Sequence, residues 1–244
     1  MGQIKDFLAS QGAAAIREGM IDVGSMSSGM AVGLPYLAIR GARPGKTLWL
    51  HGQVHGDEIN GMIAALRFAR RIDPAQMSGN VVVTPTGNPH ALDARRKRNP
   101  YDELDLDQTY PGNPGGLISE RLAHALMQEI DGVADVLINL HTMNALFDSR
   151  AYAVYKVHPQ SPIPEQELLR LISLFEPNVA CRMDVGGPGS CPETLRVRST
   201  TNASRAVSRP SCWNSVAAAD TRRTTSNWLT RASRASRRIW ASCP

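Results

Sequence analysis

The chain has 244 residues, of which 42% are hydrophobic and 20% are charged, a size and a balance typical of one large globular domain. No stretch reaches the roughly 18 apolar residues that a membrane-spanning helix needs. The first residues lack a basic stretch followed by an apolar core, so we expect no secretory signal. Four cysteines in a chain of this length make no disulfide framework. These features exclude an integral membrane protein and favour a cytoplasmic one.

The net charge of +5 is distributed unevenly along the chain. Residues 1–190 carry 17 Lys and Arg against 20 Asp and Glu, a net charge of −3. Residues 191–244 carry 10 Arg against one Glu and one Asp, a net charge of +8. All of the excess basic charge therefore belongs to the end of the chain, and we expect no nucleic-acid binding by the part before it.

Hydrophobic periodicity predicts strands and helices that alternate along the chain. In chain order we predict a strand over residues 46–54, a helix over 59–72, a strand over 80–84, a helix over 117–130, strands over 134–140 and 151–157, and a helix over 165–175. Strands that alternate with helices form sheets whose two faces are both covered. The sequence therefore predicts an α/β fold with a mostly parallel or mixed sheet flanked by helices.

The composition changes at about residue 190. The last part of the chain contains no Gly, Lys, Phe, Tyr, Met or His, yet it holds three of the four Cys and three of the four Trp. We therefore divide the chain into a folded domain, residues 1–189, and a basic tail, residues 190–244, that we predict to be disordered. This composition is typical of a GC-rich gene translated out of frame, and in the alternative frame the codons of Trp213 and Asn214 encode a Glu. We interpret the tail as the product of a frameshift near residue 188.

The clearest chemical motif is the segment HGQVHGDE, residues 51–58. In it, His55 and Glu58 are separated by two residues in a glycine-containing turn, directly after a predicted strand. His141 directly follows the predicted strand 134–140. Because sites in α/β sheets lie at the carboxyl ends of strands, these three side chains can converge on one cation. Two His and one Glu form a known catalytic zinc set with a fourth position for water, so we predict one Zn²⁺ per chain.

Five segments together resemble the succinylglutamate desuccinylase/aspartoacylase family, over about residues 20–189. These segments are residues 51–58, Asn88-Pro89, Arg98, residues 105–112 and residues 139–141. The resemblance implies a zinc-dependent deacylase with a zinc carboxypeptidase-like fold, with His55, Glu58 and His141 as the zinc ligands. It also implies that Arg98 polarises the scissile carbonyl or holds the substrate, with Arg95 and Arg96 as alternatives in register.

The chain departs from the family where the family usually has Asp-Leu-Asn-Arg before an aromatic-Pro-Gly sequence. Here the segment runs Asp105-Leu106-Asp107-Gln108. The family's Arg pairs with a substrate carboxylate, whereas Gln108 brings no charge and Asp107 would repel a carboxylate. With Asn88, Arg98, Asp107 and Gln108 as the candidate substrate-binding residues, we expect a small N-acylated substrate that is neutral or cationic.

A second departure concerns the general base. Such enzymes need a glutamate on a strand beyond the third ligand, and Glu193 is the only Glu after Glu176. Glu193 has no strand context. The sequence therefore predicts a domain that is incomplete at its C-terminus and inactive in this frame. The intact gene product would hydrolyse an N-acyl amide or an ester.

Three alternatives remain open from the sequence. The first is a zinc carboxypeptidase-type peptidase, the second is a non-catalytic zinc- or nucleic-acid-binding product that uses the tail, and the third is a chain that lacks the strands after Phe175 and does not fold stably. We interpret the basic run 95–98 as a solvated loop and Cys181 as a core residue. We interpret His51, His90 and His124 as packing or surface residues. The oligomeric state is left open.

Overall fold

A computed structural model describes residues 2–10, 12–143, 150–157, 161 and 163–184, together with the backbone of residues 215–219. The helices are α1 (Gln3–Ala9), α2 (Ile59–Ala69), α3 (Pro89–Ala94), α4 (Ile118–Ile130) and α5 (Glu165–Ser173). The strands are β1 (Ala15–Ser25), β2 (Ala31–Arg40), β3 (Arg43–Gly52), β4 (Ser78–Thr84), β5 (Val136–His141), β6 (Tyr152–Val157), β7 (Val179–Asp184) and β8 (Ser215–Ala219). None of these helices is long and apolar enough to cross a membrane.

The strands form one sheet in the order β1-β2-β4-β3-β5-β8-β6-β7. Strands β4, β3, β5 and β8 are mutually parallel, as are β6 and β7. The β1–β2, β2–β4 and β6–β8 pairs are antiparallel. The sheet is therefore mixed, as the predicted fold class allows. Its parallel centre contains β3 and β5, the two strands that lead to the candidate metal ligands.

Helices cover both faces of the sheet, because each central strand sends alternate side chains to opposite sides. On β3, Trp49 belongs to the apolar core beneath α1 and α4. Its neighbours Leu48 and Leu50 belong to the core beneath α2. Trp49 is fully buried, and so is Leu122 of α4, which packs in the same cluster. This two-sided burial holds β3 and β5 rigidly side by side.

The observed boundaries differ from the predicted ones by a few residues. Strand β3 ends at Gly52 instead of residue 54, because Gln53 takes a left-handed backbone conformation with φ of 51°. Helix α2 ends at Ala69 instead of residue 72. Helix α1 and the long β1–β2 hairpin were not predicted.

The structure corrects one alternative and one interpretation about the end of the domain, namely that no strand follows Phe175 and that Cys181 is a core residue. Strand β7 follows Phe175 and pairs with β6, so the sheet continues beyond that residue. Cys181 lies on β7 and is exposed, because in the described sheet β7 is an edge strand with most of its residues exposed.

The backbone of Ser215–Ala219 forms β8, between β5 and β6. The division of the chain at residue 190 and the disorder predicted for residues 190–244 stay predictions, since these five residues are the only part of the tail that the structure describes. The rest of the tail, including Glu193, lies outside the described residues, so the frameshift stays a prediction.

Candidate metal centre

The three candidate ligands lie at the carboxyl ends of two adjacent strands. His55 and Glu58 stand in the short loop between β3 and α2, and His141 is the last residue of β5. Strands β3 and β5 are parallel neighbours, with Gly52 opposite Leu140. The loop after β3 and the end of β5 therefore meet at one edge of the sheet, as the sequence predicts.

The carboxylate of Glu58 lies between the two imidazoles. Its Oε1 is 2.8 Å from His55 Nδ1 and its Oε2 is 2.9 Å from His141 Nδ1. The backbone N–H of Thr142 donates to the same Oε2 at 3.0 Å. One ligand atom from each of the three side chains lies within 4.8 Å of the others, an arrangement that could hold a metal ion. Two imidazole nitrogens and one carboxylate are the donor set of catalytic zinc sites, so these residues fit that ion.

The turn that brings His55 and Glu58 together packs tightly against α3. The N–H of Gly56 donates to Arg96 O at 2.9 Å, and a Cβ at Gly56 would lie 1.8 Å from Ala91 O. Behind the turn, the buried Gln53 donates through Nε2 to His55 O at 3.1 Å. The backbone around His55 is therefore held on one side by the Gln53 side chain and on the other by the backbone of Arg96.

The electrostatics of the metal-free site are those of a buried ion pair. Burial would lower the pKa of His55, but hydrogen bonds and charge attraction from Asp105 and Glu58 raise that pKa to about 9. Burial would raise the pKa of Glu58, but hydrogen bonds to His141 and His55 lower it to about 2. At neutral pH a protonated His55 therefore faces an ionised Glu58.

Sequence analysis did not single out Asp105, yet it contacts the site directly. Its Oδ1 is 3.0 Å from His55 Nε2, and its Oδ2 is 3.2 Å from Lys97 Nζ. Burial acts to raise the pKa of Asp105, but His55 and Lys97 hold it well below its usual range. A metal-binding His commonly donates its second N–H to a carboxylate. This rule predicts an acidic partner for His55. It does not predict which residue that partner is, because several residues between 102 and 107 are acidic.

The candidate substrate-binding residues are placed differently from one another. Asp107 is half-buried, and its Oδ1 is 3.9 Å from His141 Nε2. Gln108 is exposed one residue further along. Arg98 is exposed and donates to Glu103 O at 3.4 Å, so Lys97 is the basic side chain that reaches Asp105. The role implied for Arg98 stays a prediction.

Asn88 has a structural role at the start of α3. It is fully buried, and its Oδ1 accepts hydrogen bonds from Ala91 N at 3.2 Å and from Asn99 Nδ2 at 3.3 Å. The first of these is an N-cap, which satisfies a free N–H of the first helical turn. Its predicted contact with a substrate is untested.

His51 is a packing residue, in accordance with its interpretation from the sequence. Its Nδ1 lies 2.8 Å from Thr84 Oγ1, and its Nε2 lies 3.3 Å from the hydroxyl of Tyr110. Burial, assisted by His141, lowers the pKa of His51 to about 3. His51 is therefore neutral at physiological pH and ties the sheet to the segment that follows Asp105.

Comparison with known proteins is consistent with this geometry. The chain is 29% identical over 127 residues to the N-alpha-acetyl-L-2,4-diaminobutyric acid deacetylase of Halomonas elongata, a match that covers 52% of this chain and 37% of that protein. A succinylglutamate desuccinylase/aspartoacylase structure from Rhodobacter sphaeroides is similar with a TM-score of 0.74 and 22% identity, over 95% of this chain and 66% of that one. A metallo-carboxypeptidase from Burkholderia cenocepacia has a TM-score of 0.64 and 13% identity, over 98% of this chain and 67% of that one.

The two structural similarities confirm the predicted carboxypeptidase-like fold. The chain spans only about a third of the curated relative and about two thirds of the similar structures. The model of the succinylglutamate desuccinylase/aspartoacylase catalytic domain matches residues 44–241, most of the chain. The chain therefore belongs to the succinylglutamate desuccinylase/aspartoacylase family.

Proposed function

We propose that this chain carries the catalytic domain of a zinc-dependent deacylase that hydrolyses an N-acyl amide, or an ester, of a small molecule. The observation that carries this proposal is the convergence of His55, Glu58 and His141 at the carboxyl ends of β3 and β5. Family membership and a relative named as a deacetylase support the same reaction class. A zinc ion held by this donor set supplies a Lewis acid that polarises a carbonyl and acidifies water.

The residues around this donor set have separate roles. The two imidazoles and the Glu58 carboxylate hold the ion, and Asp105 fixes the orientation of His55 through its Nε2. Lys97 balances the charge of Asp105 from the solvent side. We assign to Arg98 the role that the family resemblance implies, which is to polarise the scissile carbonyl or to hold the substrate.

The substrate we propose has no acidic group in the part that contacts residues 105–108. Asp107 would repel a carboxylate that approached it, and Gln108 brings no positive charge to pair with one. A neutral or cationic amine part suits these two residues, whereas a peptide C-terminus would be repelled. The relative from Halomonas elongata is named for an N-acetylated diaminobutyric acid, a compound with both a second amino group and a carboxyl group. A deacylase is therefore favoured over a carboxypeptidase.

We further propose that the chain in this frame does not turn over. The reaction requires a general-base glutamate on a strand beyond the third ligand. Glu193 is the only Glu after Glu176, and the sequence around Glu193 does not predict a strand. The composition of the tail supports a frameshift as the cause. The family match runs through the tail to residue 241, which counts against a frameshift. The sequence of the gene decides between a frameshift and a tail in the correct frame.

The metal part of the proposal is tested by zinc content. We expect one zinc per chain in the wild-type protein and almost none in His55→Ala, because that change removes one of three ligands. The matched control is His124→Ala, which removes an imidazole from α4 and should keep the zinc. A folded wild-type chain that binds no zinc would contradict the proposal, and circular dichroism establishes the folding of each variant.

The reaction is tested after the gene has been resequenced across the codons for residues 186–191. We expect the chain as printed to leave N-acetylated amines intact and the frame-restored protein to hydrolyse them. The substrates compared are N-acetyl compounds with cationic, neutral and acidic amine parts, and we expect the acidic ones to react most slowly. Failure of the frame-restored protein on every acyl amide and ester would overturn the reaction class, and release of C-terminal amino acids from peptides would favour a peptidase.

A further inference from the structure

The two candidate imidazole ligands have the same arrangement of partners. Each ring directs its Nδ1 to the Glu58 carboxylate, at 2.8 Å from His55 and 2.9 Å from His141. Each ring also directs its Nε2 to an aspartate, His55 to Asp105 at 3.0 Å and His141 to Asp107 at 3.9 Å. Both rings therefore turn one nitrogen toward the candidate metal centre and the other toward a carboxylate, in hydrogen-bond contact for His55 and at longer range for His141.

Both aspartates project from one short, rigid segment. Leu106–Gln108 forms a single 3-10 turn, and Asp105 caps it by accepting from the N–H of Asp107 at 3.1 Å. Leu106, between the two aspartates, is fully buried in the core beneath α4. The turn cannot shift without disturbing that core, so the backbone positions of Asp105 and Asp107 are fixed relative to the sheet.

The contact between Asp107 and His141 is longer than the contact between Asp105 and His55. Asp105 is buried and already within hydrogen-bond distance of its imidazole, whereas the Asp107 side chain is 29% exposed and its Oδ1 stops 3.9 Å from His141 Nε2. A hydrogen bond between these atoms needs about 2.7–3.2 Å. The proposed contact therefore requires these two atoms to approach each other by about 1 Å.

We propose that Asp107 is the positioning residue for His141, as Asp105 is for His55, so that one turn orients both histidine ligands. When a histidine coordinates through Nδ1, its Nε2 carries a proton, and a carboxylate at that proton fixes the ring and strengthens it as a ligand. This inference rests on the proposed metal site. It gives a role to the aspartate that stands where the family usually has an asparagine.

The alternative role for Asp107 is direct contact with a cationic group of the substrate. In that case its charge would act on substrate binding and leave the affinity for the metal unchanged. Metal affinity, measured without any substrate, therefore separates the two roles and does not require turnover.

The experiment measures the affinity for Zn²⁺ by competition with a chromogenic chelator and the visible spectrum of the Co²⁺ form. We expect Asp107→Asn to weaken metal binding by about 10- to 100-fold and to alter the Co²⁺ spectrum. Asp107→Glu keeps the carboxylate and should recover part of the affinity. Gln108→Asn is the control in the same turn and should bind as the wild-type protein does, while Asp105→Asn is the positive control.

The outcomes separate this inference from the proposal on which it rests. If the wild-type chain binds no metal, the proposed function fails first. If the wild-type chain binds metal and Asp105→Asn weakens it, but Asp107→Asn has the wild-type affinity, the inference is overturned. A loss that disappears between about 0.1 M and about 1 M salt would also overturn it, because contact effects survive the screening that removes a long-range field.

Discussion

At the residue scale, a chain of buried polar groups connects the sheet to the segment that carries Asp105. Trp49 donates through Nε1 to Thr84 Oγ1 at 2.9 Å, and the same oxygen lies 2.8 Å from His51 Nδ1. On its other side His51 meets the Tyr110 hydroxyl at 3.3 Å. Buried polar groups stabilise a fold only when each has a hydrogen-bond partner. The His51 ring supplies such a partner to Thr84 and to Tyr110, and its burial favours the neutral form of the ring.

The pKa of His51 makes the stability of the metal-free protein depend on pH. Its pKa is about 3 in the folded chain against 6.5 for an unperturbed histidine, so below pH 6.5 the unfolded state binds a proton that the folded state excludes. Its contribution to stability is complete above pH 6.5 and is lost as the pH falls toward 3, at up to about 1.4 kcal/mol per pH unit. Urea unfolding of chelator-treated protein across this range measures the slope.

The variant His51→Gln isolates this contribution. Because Gln can hydrogen-bond but does not titrate, we expect lower stability at pH 7, by about 1–3 kcal/mol, and a shallower fall between pH 6.5 and 4. Parallel curves for the two proteins would show that His51 is not the titrating group.

At the element scale, the loop between β3 and α2 depends on a close approach of two backbones. A Cβ at Gly56 would lie 1.8 Å from Ala91 O and 2.5 Å from Arg96 O. Gly56 does not have a positive φ, unlike five other glycines of the described chain. The glycine is required here because α3 comes so near, and not because of its conformational freedom.

Gly56→Ala should therefore displace α3 or the His55 loop. We expect a loss of about 3 kcal/mol or more in the free energy of unfolding, together with the loss of metal binding, because overpacking against backbone cannot be relieved by a rotamer change. Gly115→Ala is the matched control, since the nearest atom to its Cβ would be 3.8 Å away. Urea unfolding measures the free energy of unfolding of both variants. Equal values for Gly56→Ala and Gly115→Ala would show that the close approach of α3 does not require a glycine at position 56.

The same local contacts explain which parts of the site could be predicted from the sequence. His55, Glu58 and His141 were predictable because strand periodicity places each of them just after a buried strand, and parallel strands end at one edge. Asp105 was not, because its contact with His55 depends on how a turn packs on the core 50 residues away in sequence.

The β1–β2 hairpin was missed for a related reason. Gly24, Gly29 and Gly33 with Pro35 interrupt the alternation of apolar residues that marks a strand. A β-bulge lies at Asp22–Gly24, where the register of the pair shifts. The buried face of the hairpin packs with α4, including Ile21 and Leu34 in the same core as Leu122. Tertiary burial thus forms strands that the local sequence does not predict.

At the scale of the whole molecule, the candidate metal centre joins three distant parts of the chain. It unites the loop after β3, the turn at residues 105–107 and the end of β5. Without metal, the proton on His55 joins the first two of these parts, because its ion pairs with Glu58 and Asp105 raise the pKa of that ring to about 9. Its contribution to stability is complete below pH 6.5 and is lost as the pH rises through about 9. A metal ion that binds there must replace this proton.

Zinc binding should therefore release about one proton from His55 between pH 6.5 and 9, and the affinity should rise by up to about tenfold per pH unit over that range. Calorimetry in buffers of different ionisation enthalpy counts the protons. Zinc at about 100 times its dissociation constant should add about 2.7 kcal/mol to the free energy of unfolding, and a chelator should reverse this gain. His55→Ala should show neither the proton nor the gain. Zinc bound by the wild-type chain with no proton released would mean that His55 is already neutral, and that the charged pair with Glu58 does not hold the metal-free fold together.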